Sequence, residues 1–241
     1  MTYKELIYMV LDEIKSTSDD SFFTEEHVLF LIGKYRAFLL KQRYADIKKP
    51  IPDSNYQTIC LDLSQVSAIP DEPCLGTYLK SEEEIPFTIK IGNPTVYPID
   101  YYQGDITFVS RDRMRYVGHN KYMGNIIYAS IGPDNHLYLK SANPQYLHLE
   151  QVKMTGVFED PVKASELECI DSDENNCDIL DKEFPLEDAL VPPLIELSVK
   201  ELLGAAYRPK DTINNANDDL SDIASFVRRN MKSDINKQIE G

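Results

Sequence analysis

No run of apolar residues in this 241-residue chain approaches the roughly 20 that a membrane-spanning helix needs, so no membrane span is expected. The opening MTYKELIYMVLDEIK interrupts its apolar residues with Lys4, Glu5, Asp12 and Glu13. A secretory signal needs an unbroken apolar stretch behind a basic lead, so none is expected here. Cysteine is scarce: Cys60, Cys74, Cys169 and Cys177 form no CxxC pair. In a chain long enough to bury an ample core, they are expected to be reduced cytosolic thiols, neither a disulfide framework nor a zinc site. Glycine numbers only ten, and GxSxG, GxxxxGK[ST] and GxGxxG are all missing. That removes the nucleophile-elbow, P-loop and dinucleotide signatures.

His27, His119, His136 and His148 are scattered with no HxH or HExxH spacing, so each reads as structural. The run Asp171 to Asn175 copies the first oxygen positions of a calcium loop. It holds Asn176 and Lys182 where that loop needs glycine and a bidentate glutamate, so no calcium site is expected. Paired carboxylates are abundant, but in so acidic a chain they carry no information. No enzyme, metal or cofactor emerges.

Positive charge is also short. Lys and Arg number 25 against 40 Asp and Glu, a net −15. An ordinary duplex-binding protein needs a basic footprint to displace phosphate counterions, so that class is disfavoured. Residues 159–188 concentrate the imbalance, with twelve acids against Lys163 and Lys182. This stretch reads as a solvated linker or an acidic arm.

What is present begins with helices. Thr2 and Glu5 have capping-box spacing, and Ile7, Val10, Leu11 and Ile14 follow at helical intervals. Thr24 caps a longer helix opened by Glu25 and Glu26. Its expected buried stripe is Val28, Leu29, Ile32, Tyr35, Phe38 and Leu39, with the basic residues from Lys34 to Lys49 read as helix-end charges on snorkelling stems. Pro50 and Pro52 stop it.

From Tyr56 to Phe158 the period becomes two. Strands are expected at 56–63, 87–91, 106–109, 126–131 and 136–140, and alternation resumes from Tyr146 to Phe158. Gly132-Pro133-Asp134-Asn135 reads as a hairpin turn. Helices return after Pro192-Pro193, and a last helix carries Leu220, Ile223, Ala224, Val227 and Met231 on one stripe. The fold class is α+β: a helical bundle from both terminal segments with an inserted antiparallel β-sandwich or barrel. The expected organisation is residues 1–52 helical, 53–158 β insert, 159–188 acidic linker or arm, and 189–241 helical again with a C-terminal docking helix.

One cluster stands out for recognition. Arg111, Arg113 and Arg115 alternate in what reads as a strand and would share one face, with Tyr101, Tyr102, Phe108 and Tyr116 close by. Arginine and tyrosine suit a protein interface, and aromatics could equally stack bases.

The stretch MTYKELIYMVLDEIKSTSDDSFFTEEHVLFLIGKYRAFLLKQRY, running into PDSNYQTICLDL, resembles a structural protein of crAss-like podophages, as does the tail GAAYRPKDTINNANDDLSDI. The order of helix pair, β insert and C-terminal helices also resembles the head-to-tail connector (adaptor, tail-tube gatekeeper) proteins of short-tailed phages. The first resemblance covers most of the chain; the second is architectural. Together they imply a non-enzymatic virion protein of the neck or tail, assembled in the host cytoplasm. The resemblance further implies a ring, usually twelve-fold, below the portal, through which double-stranded DNA passes without sequence-specific binding. Its partners would be copies of itself, the portal and other neck or tail proteins. It carries over no catalytic, metal or cofactor residues. Arg111, Arg113 and Arg115 are then candidates for subunit or neck contacts, and Leu220, Ile223, Ala224, Val227 and Met231 for docking on the portal or a neighbouring subunit. The basic 34–49 helix end and the acidic 159–188 stretch are candidates for complementary ring faces. Two other readings stay open: a nucleic-acid-binding β-barrel module with helical flanks, and a regulator that binds a host protein through its acidic segment.

Overall fold

A computed structural model describes residues 1–17, 23–45, 49–70, 76–91, 94–99, 105–169 and 178–204. The docking stripe expected at Leu220, Ile223, Ala224, Val227 and Met231 lies outside the described residues, as do Tyr101, Tyr102 and the Asp171–Asn175 run. The chain divides into two compact units, Met1–Val199 and Lys200–Gly241, and the architecture below is that of the first.

Helix α1 (Tyr3–Thr17) opens on the expected reciprocal cap. The Thr2 amide donates to Glu5 Oε2 at 2.9 Å, and the Glu5 amide donates to Thr2 Oγ1 at 3.2 Å. Helix α2 (Glu25–Arg43) starts where the His27 amide donates to Thr24 Oγ1 at 3.3 Å. Its buried face is Val28, Leu31, Ile32, Arg36, Leu39 and Leu40. That rotates the stripe away from the expected one, because Arg36 takes the place at its centre, four residues after Ile32. Phe38 is consequently 53% exposed.

Seven strands follow: β1 (Gln57–Val66), β2 (Tyr78–Ser81), β3 (Thr95–Pro98), β4 (Asp105–Phe108), β5 (Ile126–Ile131), β6 (Leu137–Lys140) and β7 (Gln151–Gly156). They form one sheet ordered β3-β7-β1-β2-β6-β5-β4. Its two end strands, β3 and β4, lie beside each other, so the sheet nearly closes. The long β1 makes the corner. Its first half, Gln57 to Asp62, pairs with β7, and its second half, Leu63 to Val66, pairs with β2. All ladders are antiparallel except β4 with β5, which run parallel. The fold is therefore α+β, with helices flanking a near-closed β-barrel.

Alternation along the strands sends Ile59, Leu61, Leu79, Ile127, Ala129, Leu137, Leu139, Val152 and Met154 inward as one core. Residues 87–91, expected as a strand, contribute only an isolated bridge, Thr88 with Phe158. Residues Pro144–His148 form a 3-10 turn before β7. The Gly132 turn is a hairpin as expected, with Asn135 at φ 56°, a conformation asparagine tolerates.

Helix α4 (Pro161–Glu166) is capped by Asp160, whose carboxylate accepts from the amides of Val162 and Lys163. It packs on β1. Beside it, Cys60 and Cys169 form a disulfide with Cα atoms 4.9 Å apart, which corrects the expectation of reduced thiols. The cause is register: the Cys60 amide donates to the Leu167 carbonyl at 2.8 Å, laying the residues after α4 along β1. A separation of 109 residues hides that pairing from any spacing rule. Helix α5 (Val191–Leu202) begins with Pro192 and Pro193 in its first turn.

Candidate functional site

Parallel neighbours cannot be joined by a hairpin, so β4 and β5 need a crossover. Residues 109–125 supply it, and they carry Arg111, Arg113, Arg115 and Lys121 against Asp112 alone, +3 in a chain of −15. The crossover starts with a short helix, α3 (Arg111–Met114). This corrects the strand expected for the three arginines. Once β4 ends at Phe108, the chain has to turn away, and the amides of Arg113 and Met114 donate to the Ser110 carbonyl at 2.9 and 3.2 Å. In a helix Arg111 and Arg115 lie one turn apart on one side, and Arg113 points elsewhere. All three are exposed.

The crossover is pinned from beneath. Met114 is buried with Ile69, Tyr78 and Tyr138 in a small cluster on the outer face of the sheet. Buried Lys140 donates from Nζ to the Met114 carbonyl at 3.4 Å and sits 5.7 Å from the Tyr78 ring centre. Gly118 at φ +79° lets the backbone pass over Lys140, where a Cβ would stand 2.9 Å from its Cγ. The outer side is left to solvent: Tyr116 is 82% and Tyr122 86% exposed. Exposed tyrosine with arginine on an anchored loop is the composition of interface hot spots.

Between α3 and the β5–β6 hairpin lies a narrow cleft, with Arg111 and Arg115 among its lining residues, together with Met114, Pro133, Ser130 and Tyr138. Beside it the Tyr138 hydroxyl donates to Asp134 Oδ2 at 2.7 Å, and Lys80 Nζ pairs with the same oxygen at 2.9 Å. Burial pushes the Asp134 carboxyl up, but these partners outweigh it and hold the group below the usual carboxylate range. Burial, then the Asp134 carboxylate, raises the Tyr138 phenol above its ordinary value.

Neither Ser130 nor Tyr138 stood out in the sequence. The available signal was the gap between strands 106–109 and 126–131, long enough for a parallel crossover.

The other expected pair of faces is joined inside the chain. Lys41 Nζ reaches Glu159 Oε1 at 2.6 Å, and Arg43 Nε reaches Glu187 Oε1 at 2.9 Å. Within the acidic stretch, Glu168 pairs with Lys182 at 2.6 Å, and Asp181 lies 3.7 Å from Lys4. Arg36, expected as one of the helix-end charges, is fully buried and binds three backbone carbonyls instead.

Among the described residues no group of three His, Cys, Asp or Glu could hold a metal ion. No helix among them is long and apolar enough to cross a membrane.

The first unit is a near-closed barrel with flanking helices, and its crossover is anchored from beneath and exposes arginine and tyrosine. Residues 5–220 match the family described as phage tail ring protein 2. The chain is similar to "Ring protein 2" of Bacteroides phage crAss001, 64% identical over 223 residues, which is 92% of this chain and 99% of that protein. The chain therefore belongs to the phage tail ring protein 2 family. It is a virion structural protein of the ring or connector type, located in the neck or tail, and its role is structural rather than catalytic.

Proposed function

We propose that this chain is one subunit of a twelve-fold head-to-tail connector ring that sits under the portal and lets the genome pass during ejection. The match to the ring family over residues 5–220 carries this reading. Charge supports it. A ring multiplies the −15 of each subunit, and a negative bore lets DNA slide with few sticking contacts. Closing a ring takes two different, complementary faces on each subunit. The basic crossover with Arg111, Arg113 and Arg115 serves as one of them in this reading, toward the next subunit or a neck partner. The stripe Leu220, Ile223, Ala224, Val227 and Met231 docks on the portal or a neighbour by helix-in-groove contacts.

Negative-stain microscopy of the purified protein, alone and mixed with portal, tests the assembly. Rings of twelve that stack on the portal are the expected result, and particles that neither close nor bind portal would refute it. Ending the chain after Asp211 should leave rings but abolish portal attachment. A truncated chain that aggregates or melts far lower would assign the helix to its own fold.

The Arg111–Tyr122 composition also suits a nucleic-acid module. Strong, salt-dependent DNA affinity lost on replacing the three arginines with Gln, with assembly intact, would favour that reading.

A further inference from the structure

We propose that the Cys60–Cys169 disulfide is a redox lock, open as two thiols while the chain folds and is built into the particle, and closed by an oxidant once the particle has left the cell. The inference goes beyond the ring reading and needs only the chain's place in the virion. Three observations carry it. A virion protein is made and assembled inside a cell, where thiol systems keep cysteines reduced, and then works outside, where disulfides persist. The fold also holds the two cysteines together without the bond. The Cys60 amide donates to the Leu167 carbonyl, Ile59 bridges to Glu168, and Gln57 Nε2 donates to the Pro161 carbonyl at 3.0 Å. Lys182 Nζ fastens the same segment through the Ser165 carbonyl at 3.0 Å and Glu168 Oε2 at 2.6 Å. A reduced chain therefore keeps its sulfurs placed for closure. Finally, both cysteines are half-buried, and Cys169 stands in the wall of a groove of about 640 Å³. A small thiol or disulfide has room there to reach the sulfur.

The oxidant is a low-molecular-weight disulfide. The thiolate of one cysteine attacks it, forming a mixed disulfide and expelling one small thiolate. The second cysteine then attacks the protein sulfur of that mixed disulfide, which closes the Cys60–Cys169 bond and expels the other small thiolate. The protein gives up two electrons and two protons, and the small disulfide becomes two thiols. Closing the bond ties together two parts of the fold that are otherwise held by hydrogen bonds and one ion pair. Cys60 lies on β1 of the barrel, and Glu168, next to Cys169, pairs with Lys182. The Lys182 carbonyl in turn accepts from the Tyr3 amide at 3.1 Å, and the Phe184 amide donates to the Met1 carbonyl at 2.8 Å. The bond thus fixes the barrel to the segment that grips the start of α1. A cross-link spanning 109 residues acts chiefly by restricting the unfolded chain, so it hardens the finished particle and is dispensable for building it.

The test traps the thiols where they stand. Intact infected cells and released particles are each treated with N-ethylmaleimide before lysis or denaturation, and the cysteine peptides are read by mass spectrometry. In cells, Cys60 and Cys169 should carry the label in most copies; in particles they should be unlabelled and linked to each other. Purified full-length chain, reduced and then exposed to glutathione disulfide, should form the same link and gain roughly 5–15 °C in melting temperature. Cys60→Ser with Cys169→Ser should fold and reach the same assembly state as the reduced wild type, without that gain. A bond already closed in intact cells would overturn the lock and make it a staple of folding. Free thiols in particles, or Cys169 linked to Cys74 or Cys177 instead, would overturn it as well. So would a reduced chain or a double variant that fails to fold. None of these outcomes depends on how many copies the assembly holds, so the lock and the ring reading stand or fall separately.

Discussion

Replacing Arg36 with Met should destabilise this protein more than its position in a basic segment would suggest. The guanidinium is fully buried on α2. Its Nε donates to the Pro185 carbonyl and one terminal nitrogen to the Phe158 carbonyl, both at 2.7 Å. The other donates to the Asn55 carbonyl at 3.2 Å. One side chain thereby ties α2 to three segments that are 19, 122 and 149 residues away in sequence. Met fills similar volume but leaves three buried carbonyls without that donor, each costing about 1–3 kcal/mol. Part of this is offset, because burial disfavours the charge itself and lowers the Arg36 pKa to about 10. A net loss of roughly 3–5 kcal/mol remains. For a chain of this size that is a fall in Tm of about 10 °C. Arg36→Lys should lose nearly as much, since one nitrogen cannot span three diverging carbonyls. Thermal unfolding followed by circular dichroism measures both. With the folded group still charged far above neutrality, the deficit should be flat between about pH 6 and 8. A Tm within about 3 °C of wild type for Arg36→Met would refute the reasoning.

Reduction of the Cys60–Cys169 disulfide, which links positions 109 residues apart, should cost about 2–5 kcal/mol. Thermal scans with and without dithiothreitol should differ, and Cys60→Ser with Cys169→Ser should remove that difference. Burial pushes the Tyr3 phenol up to about 12 and raises Tyr138 as well. The folded state thus keeps protons that the unfolded chain gives up near pH 10, so their stabilisation is complete below pH 10 and is lost as pH rises toward 12. Ultraviolet difference titration should show these two phenols ionising only as the protein unfolds; ordinary titration of all 15 tyrosines near pH 10 would contradict it. Gly132→Ala should cost about 1–3 kcal/mol, because its Cβ would stand 2.5 Å from Asp134 Oδ1 and 2.6 Å from the Tyr138 ring, both held by their mutual hydrogen bond. Urea midpoints report that loss, and an unchanged midpoint would mean the pair yields freely.

Local chemistry made some features of this protein legible in sequence. The reciprocal cap of Thr2 and Glu5, the Thr24 cap and the Gly132–Asn135 turn depend on neighbours within a few residues, and β1, β5 and β6 are marked by local runs of β-forming residues, although their pairing is not local. The family resemblance lies in whole contiguous stretches of residues and is independent of how they fold together. Long-range register decided the rest. Cys60 meets Cys169, and Lys41 meets Glu159, only because α4 is laid against β1 and the acidic stretch folds back on α2. Arg36 falls four residues after Ile32 on the buried face, yet it reads as a solvated helix-end charge until three distant carbonyls are placed around it. The arginines at 111, 113 and 115 alternate like strand residues, but the parallel pairing of β4 with β5 demands a crossover, and the chain winds into α3 to begin it. Strand pairing and burial are properties of segments far apart in the chain, whose energies depend on which surfaces meet; caps and turns are settled before any surfaces meet at all.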